Sequence, residues 1–350
     1  MAAVFRRAAA GVASLLAFMA VTAAATPRIV GVEVKGPFLG TCMASAVVAY
    51  PPGTVDQFMI VGNDETNKLQ TYRVTDGRSQ ALHTADLNTF FGLNDAKTSL
   101  KIDIEAATYL GSQAVWIGSH SRNSDGELRS ARTQLFTTDI VLLDGVPRAQ
   151  SAQKIVERSL LEAFADVDAL RDIVAIDRKE VPTLAAKKDG LNIEGLSVAA
   201  DGTSLVVGLR GPLPGGSAYL LTVSDALGLL RTGKPAPGSV KLAKALQLGA
   251  GMGVRSLEYS AARSGYFLVA GPAGPDAERP EFELFLWDGT SDQPEPIPGL
   301  RDRITAAGIA KFQPEALAVD ATGTRLLILS DDENRCQENS FNGVVVTLSP

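Results

Sequence analysis

The sequence predicts an all-β protein, a β-propeller with five recognisable blades. Three observations support this fold: a hairpin pattern repeats along the chain, turn residues separate short β-rich runs, and one helical stretch near residues 151–180 interrupts the pattern. The chain has 350 residues, of which 33 are Gly and 18 are Pro, and 45% are hydrophobic. Such a composition provides for a large core and for many turns.

The repeated unit is a hairpin that opens on a polar residue. An alternating apolar run follows, then a turn that often contains glycine, such as Asp201-Gly202, and then a second β-rich run. Four copies open on Glu105, Glu194, Glu258 and Glu315, and a fifth copy from Ala44 has Ser45 in the place of the glutamate.

Further strand-like runs follow most hairpins, such as SAYLLTV and the weaker VKLAKALQL. Three or four antiparallel strands repeated around an axis form a β-propeller, in which only short edges are exposed. Residues 27–36 belong to no blade of their own, so we expect this N-terminal strand to enter the last blade and close the ring. A sixth blade could lie between residues 66 and 100. A large β-sandwich or two smaller β domains are the alternative folds.

The segment from Ser151 to about residue 180 has its apolar residues near helical spacing. It predicts a helical insertion between the second and third blades. We expect the insertion to cover an edge of the propeller, and a role in shaping a pocket is the alternative.

Residues 1–25 have the pattern of a secretory signal peptide. Arg6 and Arg7 precede an apolar stretch that ends in Ala23-Ala24-Ala25, and an uncleaved anchor is the alternative. Residues 26–350 then form a single propeller domain, periplasmic or secreted. No later stretch approaches 18 apolar residues, so no integral membrane segment is expected after cleavage.

Cys42 and Cys336 are the only cysteines of the chain. An exported protein meets an oxidising environment, and closure of the ring by the N-terminal strand would bring these two residues together. The sequence therefore predicts a disulfide, with two buried free thiols as the alternative.

The charge pattern excludes some classes of protein. The formal net charge is -6 and no basic run occurs, so a nucleic-acid partner is not expected. The motifs GxSxG and HExxH and a phosphate loop are also missing. The sequence thus gives no motif support to a serine hydrolase, a zinc protease or a nucleotide-binding enzyme.

The two ends of each hairpin should meet at one face of the ring, because two strands of about six residues joined by a short turn return to the same end. Glu105, Glu194 and Glu315 would therefore lie near polar residues that follow the second strands. Those candidate ligand-binding residues are Ser119, His120, Ser121, Arg122, Arg210 and Asp331.

Glutamates that converge need compensation, because like charges raise each other's pKa. Three kinds of partner remain open at this point. The first is structural, with arginines such as Arg122 and Arg210 joining the blades. The second is a hard cation such as Ca²⁺ bound by Glu105, Glu194 and Glu315. The third is an organic or phosphorylated ligand held by His120 and the arginines.

The stretches GSHSRNSDGE, GLNIEGLSVAADGTSLVVGLRGPLPGG and QPEALAVD resemble the bacterial family called domain of unknown function 3616. The resemblance extends over most of the chain after residue 25 and implies a propeller without an established activity. More distantly, the EGL at Glu194 and the hairpin after it are similar to phytase-like and gluconolactonase-like propellers. That similarity implies a divalent ion near the axis, with Glu105, Glu194 and Glu315 as ligands, and it transfers no catalytic residue.

Two functions follow as hypotheses. In the first, this is an exported propeller that binds a small polar or anionic ligand, with Ca²⁺ or another divalent cation, and hydrolyses a phosphoester or lactone as a metal-assisted hydrolase. In the second, it is a non-catalytic scaffold for an envelope component or a protein, and the axial glutamates serve blade packing. The sequence indicates neither the ligand nor the oligomeric state.

Overall fold

The computed structural model describes residues 26–93, 100–274, 281–332 and 335–350. The predicted signal peptide lies outside these residues. The strands are β1 (Ile29–Leu39), β2 (Ala46–Tyr50), β3 (Phe58–Gly62), β4 (Lys68–Arg73), β5 (Ser79–Gln80), β6 (His83–Asp86), β7 (Ile104–Leu110), β8 (Gln113–Gly118), β9 (Leu135–Leu143), β10 (Val146–Lys154), β11 (Asn192–Val198), β12 (Leu205–Gly211), β13 (Ala218–Val223), β14 (Val240–Leu246), β15 (Met252–Ser260), β16 (Gly265–Pro272), β17 (Glu283–Trp287), β18 (Glu295–Ile297), β19 (Pro314–Val319), β20 (Arg325–Ser330) and β21 (Ser340–Leu348). The α-helices are α1 (Asn88–Phe91), α2 (Ser159–Ala165), α3 (Arg171–Val174), α4 (Ala226–Thr232) and α5 (Leu300–Ala306), and single 3₁₀ turns span Ser130–Thr133, Pro182–Leu184 and Pro214–Gly216.

The strands form five sheets, which are the five blades of a β-propeller. In order along the chain the blades are β2-β3-β4-β6, β7-β8-β9-β10, β11-β12-β13-β14, β15-β16-β17-β18 and β19-β20-β21-β1, with the short β5 added beside β1. The predicted five blades are confirmed, and the stretch in which a sixth was considered supplies β4, β5 and β6 within the described residues. β1 pairs antiparallel with β21, so the N-terminal strand closes the ring as predicted.

The first strand of each blade lies at the axis. β2 contacts β7, β7 contacts β11, β11 contacts β15, β15 contacts β19, and β19 returns to β2. This closed circuit of inner strands brings the starts of all five to one face of the ring. The hairpin turn lies at the other end, as at Asp201, whose side chain accepts hydrogen bonds from the N–H groups of Thr203 and Ser204.

The core consists of five apolar layers, one between each pair of neighbouring blades. The sequence of strand β20 is continuously apolar because both faces of the strand are buried. Leu326 and Ile328 enter the layer shared with the fourth blade, whereas Leu327 and Leu329 enter the layer shared with the first blade. A strand buried on both faces has no polar side to alternate. The runs of Leu, Ile and Val in the sequence are therefore what a packed blade requires.

The predicted helical insertion is present between the second and third blades, and its helices are α2 and α3. Leu160, Leu161, Phe164 and Leu170 join the apolar layer between these two blades. The first residues of the predicted segment continue strand β10 as far as Lys154. The insertion thus covers the propeller edge with helices, and its last part, the turn at Pro182–Leu184, leads back to the axis.

Cys42 and Cys336 form a disulfide, with their Cα atoms 4.9 Å apart and a sequence separation of 294. The bond lies where the last blade meets the segment that follows β1. Among the described residues, no helix is long and apolar enough to span a membrane.

We expect that replacing Cys42 and Cys336 with serine lowers the free energy of unfolding by roughly 2–5 kcal/mol, because the bond restricts a long loop in the unfolded chain. Urea denaturation of the oxidised protein and the double variant measures the difference. Reduced wild-type protein is the control and should match the variant. Equal midpoints for the oxidised protein and the variant would mean that the bond contributes nothing to ring closure.

Candidate functional site

A β-bulge at the start of an inner strand positions one side chain from each of four blades. The pairing register of the inner hairpin shifts between Ile104 and Ala106, and equivalent shifts occur in the third, fourth and fifth blades. The residues left between the paired positions are Glu105, Glu194, Arg255 and Glu315. A bulge re-aims the extra side chain, so the four point towards a common region.

The first blade has no bulge, and Ser45 holds the equivalent position. Its N–H donates to the carbonyl oxygen of Gly62 at 3.2 Å, directly before β2. The prediction that Ser45 stands in the place of the glutamate agrees with this register.

In the fourth blade the position belongs to Arg255, and the alignment of Glu258 with the other glutamates was wrong by three residues. Glu258 lies further along β15, opposite Phe267, and reaches Thr108 near the other end of the inner strands. The spacing to the hairpin turn could have revealed the register, because seven residues separate Glu194 from Asp201 and Arg255 from Ala262.

A second set of positions lies at the end of the second strand of each hairpin or directly after it. The same register places Asp64, Ser119, Arg210, Gly271 and Asp331 there. Asp64, Arg210 and Asp331 line the same cavity as Glu105, Glu194 and Glu315.

This axial cavity has a volume of about 460 Å³. Its wall carries acidic and basic side chains in nearly equal number. The acidic ones are Asp64, Glu65, Asp103, Glu105, Glu194, Glu315 and Asp331, and the basic ones are Arg122, Arg132, Lys187, Lys188, Arg210 and Arg255. The second and third blades each contribute charges of both signs, and the ion pairs divide the wall into two parts.

On the side of the third to fifth blades, arginines neutralise the glutamates. Arg210 Nη1 donates to Glu194 Oε1 at 2.7 Å, and Arg255 Nε lies 3.1 Å from Glu194 Oε2. Arg255 also forms an ion pair with Glu315 through its Nη2 atom. A Cβ on Gly253 would lie 1.8 Å from the carbonyl oxygen of Arg210, so only glycine permits this close approach of two blades. Arg255 thus joins the third blade to the fifth.

On the side of the first two blades, carboxylates face each other. One oxygen from each of Asp64, Asp103 and Glu105 lies within 4.8 Å of the others, and we call this set the acidic cluster. Burial, together with the charges of Asp331, Asp103 and Glu65, raises the pKa of Asp64 to about 7. Burial and the neighbouring carboxylates Asp103, Glu194 and Asp64 raise the pKa of Glu105 well above its ordinary value. Asp64 Oδ1 is buried and has no hydrogen-bond partner among the described residues.

Only Glu105 of the three predicted metal ligands belongs to the acidic cluster. Glu194 and Glu315 are held by Arg255, which the sequence did not indicate as a partner. Asp103 precedes Glu105 by two residues on the same strand end, and Asp64 follows the second strand of the first blade. A search for carboxylates at alternate positions before the bulge would have found Asp103.

Ser119 and Ser121 belong to a hydrogen-bond network that includes Asp103 of the acidic cluster. Ser119 donates to Asp103 Oδ2, and the two serine oxygens lie 2.8 Å apart. Arg132 Nη1 donates to Ser121 Oγ at 2.8 Å and lies 3.0 Å from Asp103 Oδ2. Burial raises the pKa of Asp103, and the charge of Arg132 and the Ser119 hydrogen bond oppose that rise. Ser121 lines the cavity, whereas Ser119 is not among the described residues of its wall.

His120 lies outside the cavity wall as the described residues define it. Its Nδ1 atom is 2.9 Å from the carbonyl oxygen of Gly118, its ring packs against Phe164 of the insertion, and burial lowers the pKa to about 4. The positive φ of 53° at His120 lets the chain change direction there. A neutral buried imidazole in that place packs against the insertion.

Arg122 lines the cavity, but its guanidinium is turned to the backbone of its own loop and of the insertion. Nη1 donates to the carbonyl oxygens of Gly126 and Lys179, and Nη2 donates to those of Val174, Ala175 and Arg178. The distances are 2.8–3.2 Å. Arg122 was predicted to bind a ligand, and its five hydrogen bonds make it an anchor of the insertion.

The fold and the cavity define a five-bladed β-propeller with a charged axial cavity at one face. Residues 141–334, more than half of the chain, match the family described as protein of unknown function (DUF3616). The chain belongs to this family.

Similar solved structures include a glutaminyl cyclase of Myxococcus xanthus, with 11% identity, a TM-score of 0.43, and coverage of 93% of this chain and 97% of that chain. An endo-arabinanase of Bacillus licheniformis has 10% identity, a TM-score of 0.45, and coverage of 90% and 96%. Likeness at this level contributes nothing to the assignment of function. A search of the curated proteins finds no match.

Arg255→Met is expected to lower the free energy of unfolding by about 3–5 kcal/mol, because it leaves buried carboxylates without their counter-charge. The double variant Arg255→Met/Glu315→Gln should lose less, since Glu194 keeps Arg210 and Glu315 becomes neutral. Urea denaturation of both variants and the wild type provides the comparison. A single variant within about 1 kcal/mol of wild type would show that Arg255 is not the link between blades.

Glu258 makes the stability depend on pH. Burial raises its pKa from 4.5 to about 8, partly opposed by the hydrogen bond from Thr108. Because the folded state keeps this proton between those two pH values and the unfolded chain releases it, stability should fall as pH rises from about 4.5 to about 8. Glu258→Gln should therefore stabilise the protein more at pH 8 than at pH 5, as measured by urea denaturation. A difference between variant and wild type that is independent of pH would contradict this assignment.

Proposed function

We propose that this protein is an exported β-propeller that binds a divalent cation and a small polar or anionic ligand in the axial cavity. One observation carries the proposal: the acidic cluster brings three carboxylates together in a cavity where Glu194 and Glu315 already have arginine partners. The raised pKa values of Asp64 and Glu105 express how unfavourable it is for all three to be ionised without a further positive charge.

A hard cation such as Ca²⁺, Mg²⁺ or Mn²⁺ suits these ligands, since all of them are carboxylate oxygens. Asp64 Oδ1, buried and without a hydrogen bond from the described residues, is a free coordination atom of the kind such an ion requires. Ser119 and Arg132 would orient Asp103, as partners of a ligating carboxylate commonly do. The cavity volume of about 460 Å³ leaves room for a small molecule beside the ion.

The reaction we propose is hydrolysis of a phosphoester or lactone, so the protein would be a metal-assisted hydrolase. A divalent ion supplies a Lewis acid that polarises a phosphoryl or carbonyl oxygen. The chain's own contribution would be to bind the ion through the acidic cluster and to hold the ligand through the remaining polar groups of the wall, such as Ser121, Asn192 and Gln313.

A second candidate function is a non-catalytic scaffold for a protein or an envelope component. The Arg255 ion pairs favour it, because Glu194 and Glu315 have a sufficient structural role in joining blades. Under this proposal Asp64, Asp103 and Glu105 would share protons and hold no ion.

The proposed location is the periplasm or the extracellular space. The disulfide between Cys42 and Cys336 supports it, since such bonds persist in oxidising compartments. The predicted signal peptide in residues 1–25 would direct the export.

Titration with Ca²⁺, Mg²⁺ and Mn²⁺ tests the metal proposal. A cation at a hundredfold excess over its Kd should add about 2.7 kcal/mol to the free energy of unfolding, measured by urea denaturation after removal of metal with a chelator. Glu105→Gln should abolish this gain. Binding should also weaken below pH 7, because Asp64 takes up a proton near that value in the absence of the ion.

Glu258→Gln is the matched control, since it removes a buried carboxylate that lies near the other end of the inner strands and should leave the metal effect unchanged. The absence of any stabilisation by these cations in wild-type protein would exclude the metal site and favour the scaffold. A panel of phosphatase, esterase and lactonase substrates, assayed with the ion that binds, then separates the enzyme from a binding protein.

A further inference from the structure

We infer that Lys187 and Lys188, at the end of the insertion, bind the anionic group of the cavity ligand, and that Arg122 holds them in place. The inference deepens the proposed function, because it names the residues and the ligand class for the same cavity. The ligand it specifies is a compact oxyanion with two negative charges, such as a phosphate group. The interaction would complete the charge balance of a cation bound at the acidic cluster.

The backbone positions both lysines at the cavity. Ala185 forms an isolated parallel bridge with Arg122, and Leu184 and Ala185 are buried. Lys187 and Lys188 follow directly, are exposed to solvent, and form part of the cavity wall. Lys188 Nζ donates one hydrogen bond, to the carbonyl oxygen of Pro182 at 3.2 Å, which leaves other donors of the ammonium group for a ligand.

A series of residue contacts connects the segment that carries the lysines to the acidic cluster. Arg122, which pairs with Ala185, follows Ser121, and Ser121 accepts a hydrogen bond from Arg132. Arg132 in turn forms the ion pair with Asp103. Lys187 and Asp103 line one continuous space.

The other cations of the cavity wall, within the part of the chain that the structure describes, already have partners. Glutamates hold Arg210 and Arg255, Asp103 holds Arg132, and backbone carbonyls hold Arg122. Positive charge for an incoming ligand must therefore come from Lys187 and Lys188. An ammonium group binds phosphate as a point charge, and two neighbouring ammonium groups match an oxyanion with two negative charges.

Charge balance explains why the cavity needs these lysines. Three ionised carboxylates, one divalent ion and the guanidinium of Arg132 leave the acidic cluster about neutral, so the cluster itself offers no net positive charge to an oxyanion. Two lysines at the opposite side of the oxyanion supply that charge. The insertion is the only connection between blades that brings lysines to the cavity wall among the described residues.

The experiment measures phosphate binding and metal binding separately. Isothermal titration calorimetry with inorganic phosphate is carried out in saturating Mg²⁺, and Mg²⁺ binding is titrated without phosphate. Lys187→Ala/Lys188→Ala should weaken phosphate binding by at least about tenfold and leave the Mg²⁺ affinity within about twofold. The control Lys241→Ala/Lys244→Ala removes the same charge from the outermost strand of the third blade and should change neither affinity.

Arg122→Ala tests the positioning role. If Arg122 acts through the lysines, it should weaken phosphate binding as much as the lysine variant does, and the triple variant should lose nothing more. Arg122→Lys keeps the positive charge but lacks the forked guanidinium group. This variant replaces Arg122→Ala in the experiment if the alanine variant does not fold. It should show the same loss in phosphate affinity with unchanged Mg²⁺ affinity.

The outcomes separate this inference from the proposed function. Wild-type protein that binds Mg²⁺ but not phosphate, or a lysine variant that binds phosphate as wild type does, overturns the inference and leaves the metal site intact. Phosphate binding that depends on the lysines in protein that binds no cation supports the inference and overturns the metal proposal.

Discussion

The bulge at the start of four inner strands is the constraint on which the cavity depends. Without it, the strict alternation of a strand buried on both faces would place these residues in the apolar layers between blades, where an ionised side chain is very costly. The extra residue leaves the alternation and points to the axis. Four of the five inner strands carry the bulge, so one backbone device, repeated around the ring, produces a polar axis inside an apolar protein.

The five equivalent positions at the axis carry different side chains, so the two sides of the cavity differ in charge. Arg255 places a positive charge between Glu194 and Glu315, and Arg210 adds a second one, so this part of the axis is close to neutral. The first two blades supply Asp64, Asp103 and Glu105 with Arg132 as their nearest cation. The same ring thus contains both roles considered for the glutamates, blade packing on one side and a candidate cation site on the other.

The sequence predicted the architecture well because propeller repeats are local. Hairpin spacing, continuous apolar runs and turn residues identify the blades, the closing strand β1 and the helical insertion, and the disulfide follows from ring closure. The register within a strand was harder, and a shift of three residues assigned Glu258 to the position of Arg255. Side-chain partners were beyond the sequence, because a spacing argument cannot tell that Arg122 turns to five carbonyl groups or that His120 packs against Phe164.

The helical insertion shows most clearly which features the sequence predicted and which it did not. Its apolar spacing predicted packing against a blade edge, and α2 does pack there through Leu160 and Phe164. Yet the residues of greatest interest for ligand binding come after its helices, in an exposed turn with no periodicity. Arg122 buries its charge to hold the backbone of the insertion, which is a costly use of an arginine unless that backbone must keep one position. The carbonyl groups that Arg122 holds belong to residues 174–179, which precede the turn with Lys187 and Lys188, so a fixed backbone there limits where these lysines can lie at the cavity wall.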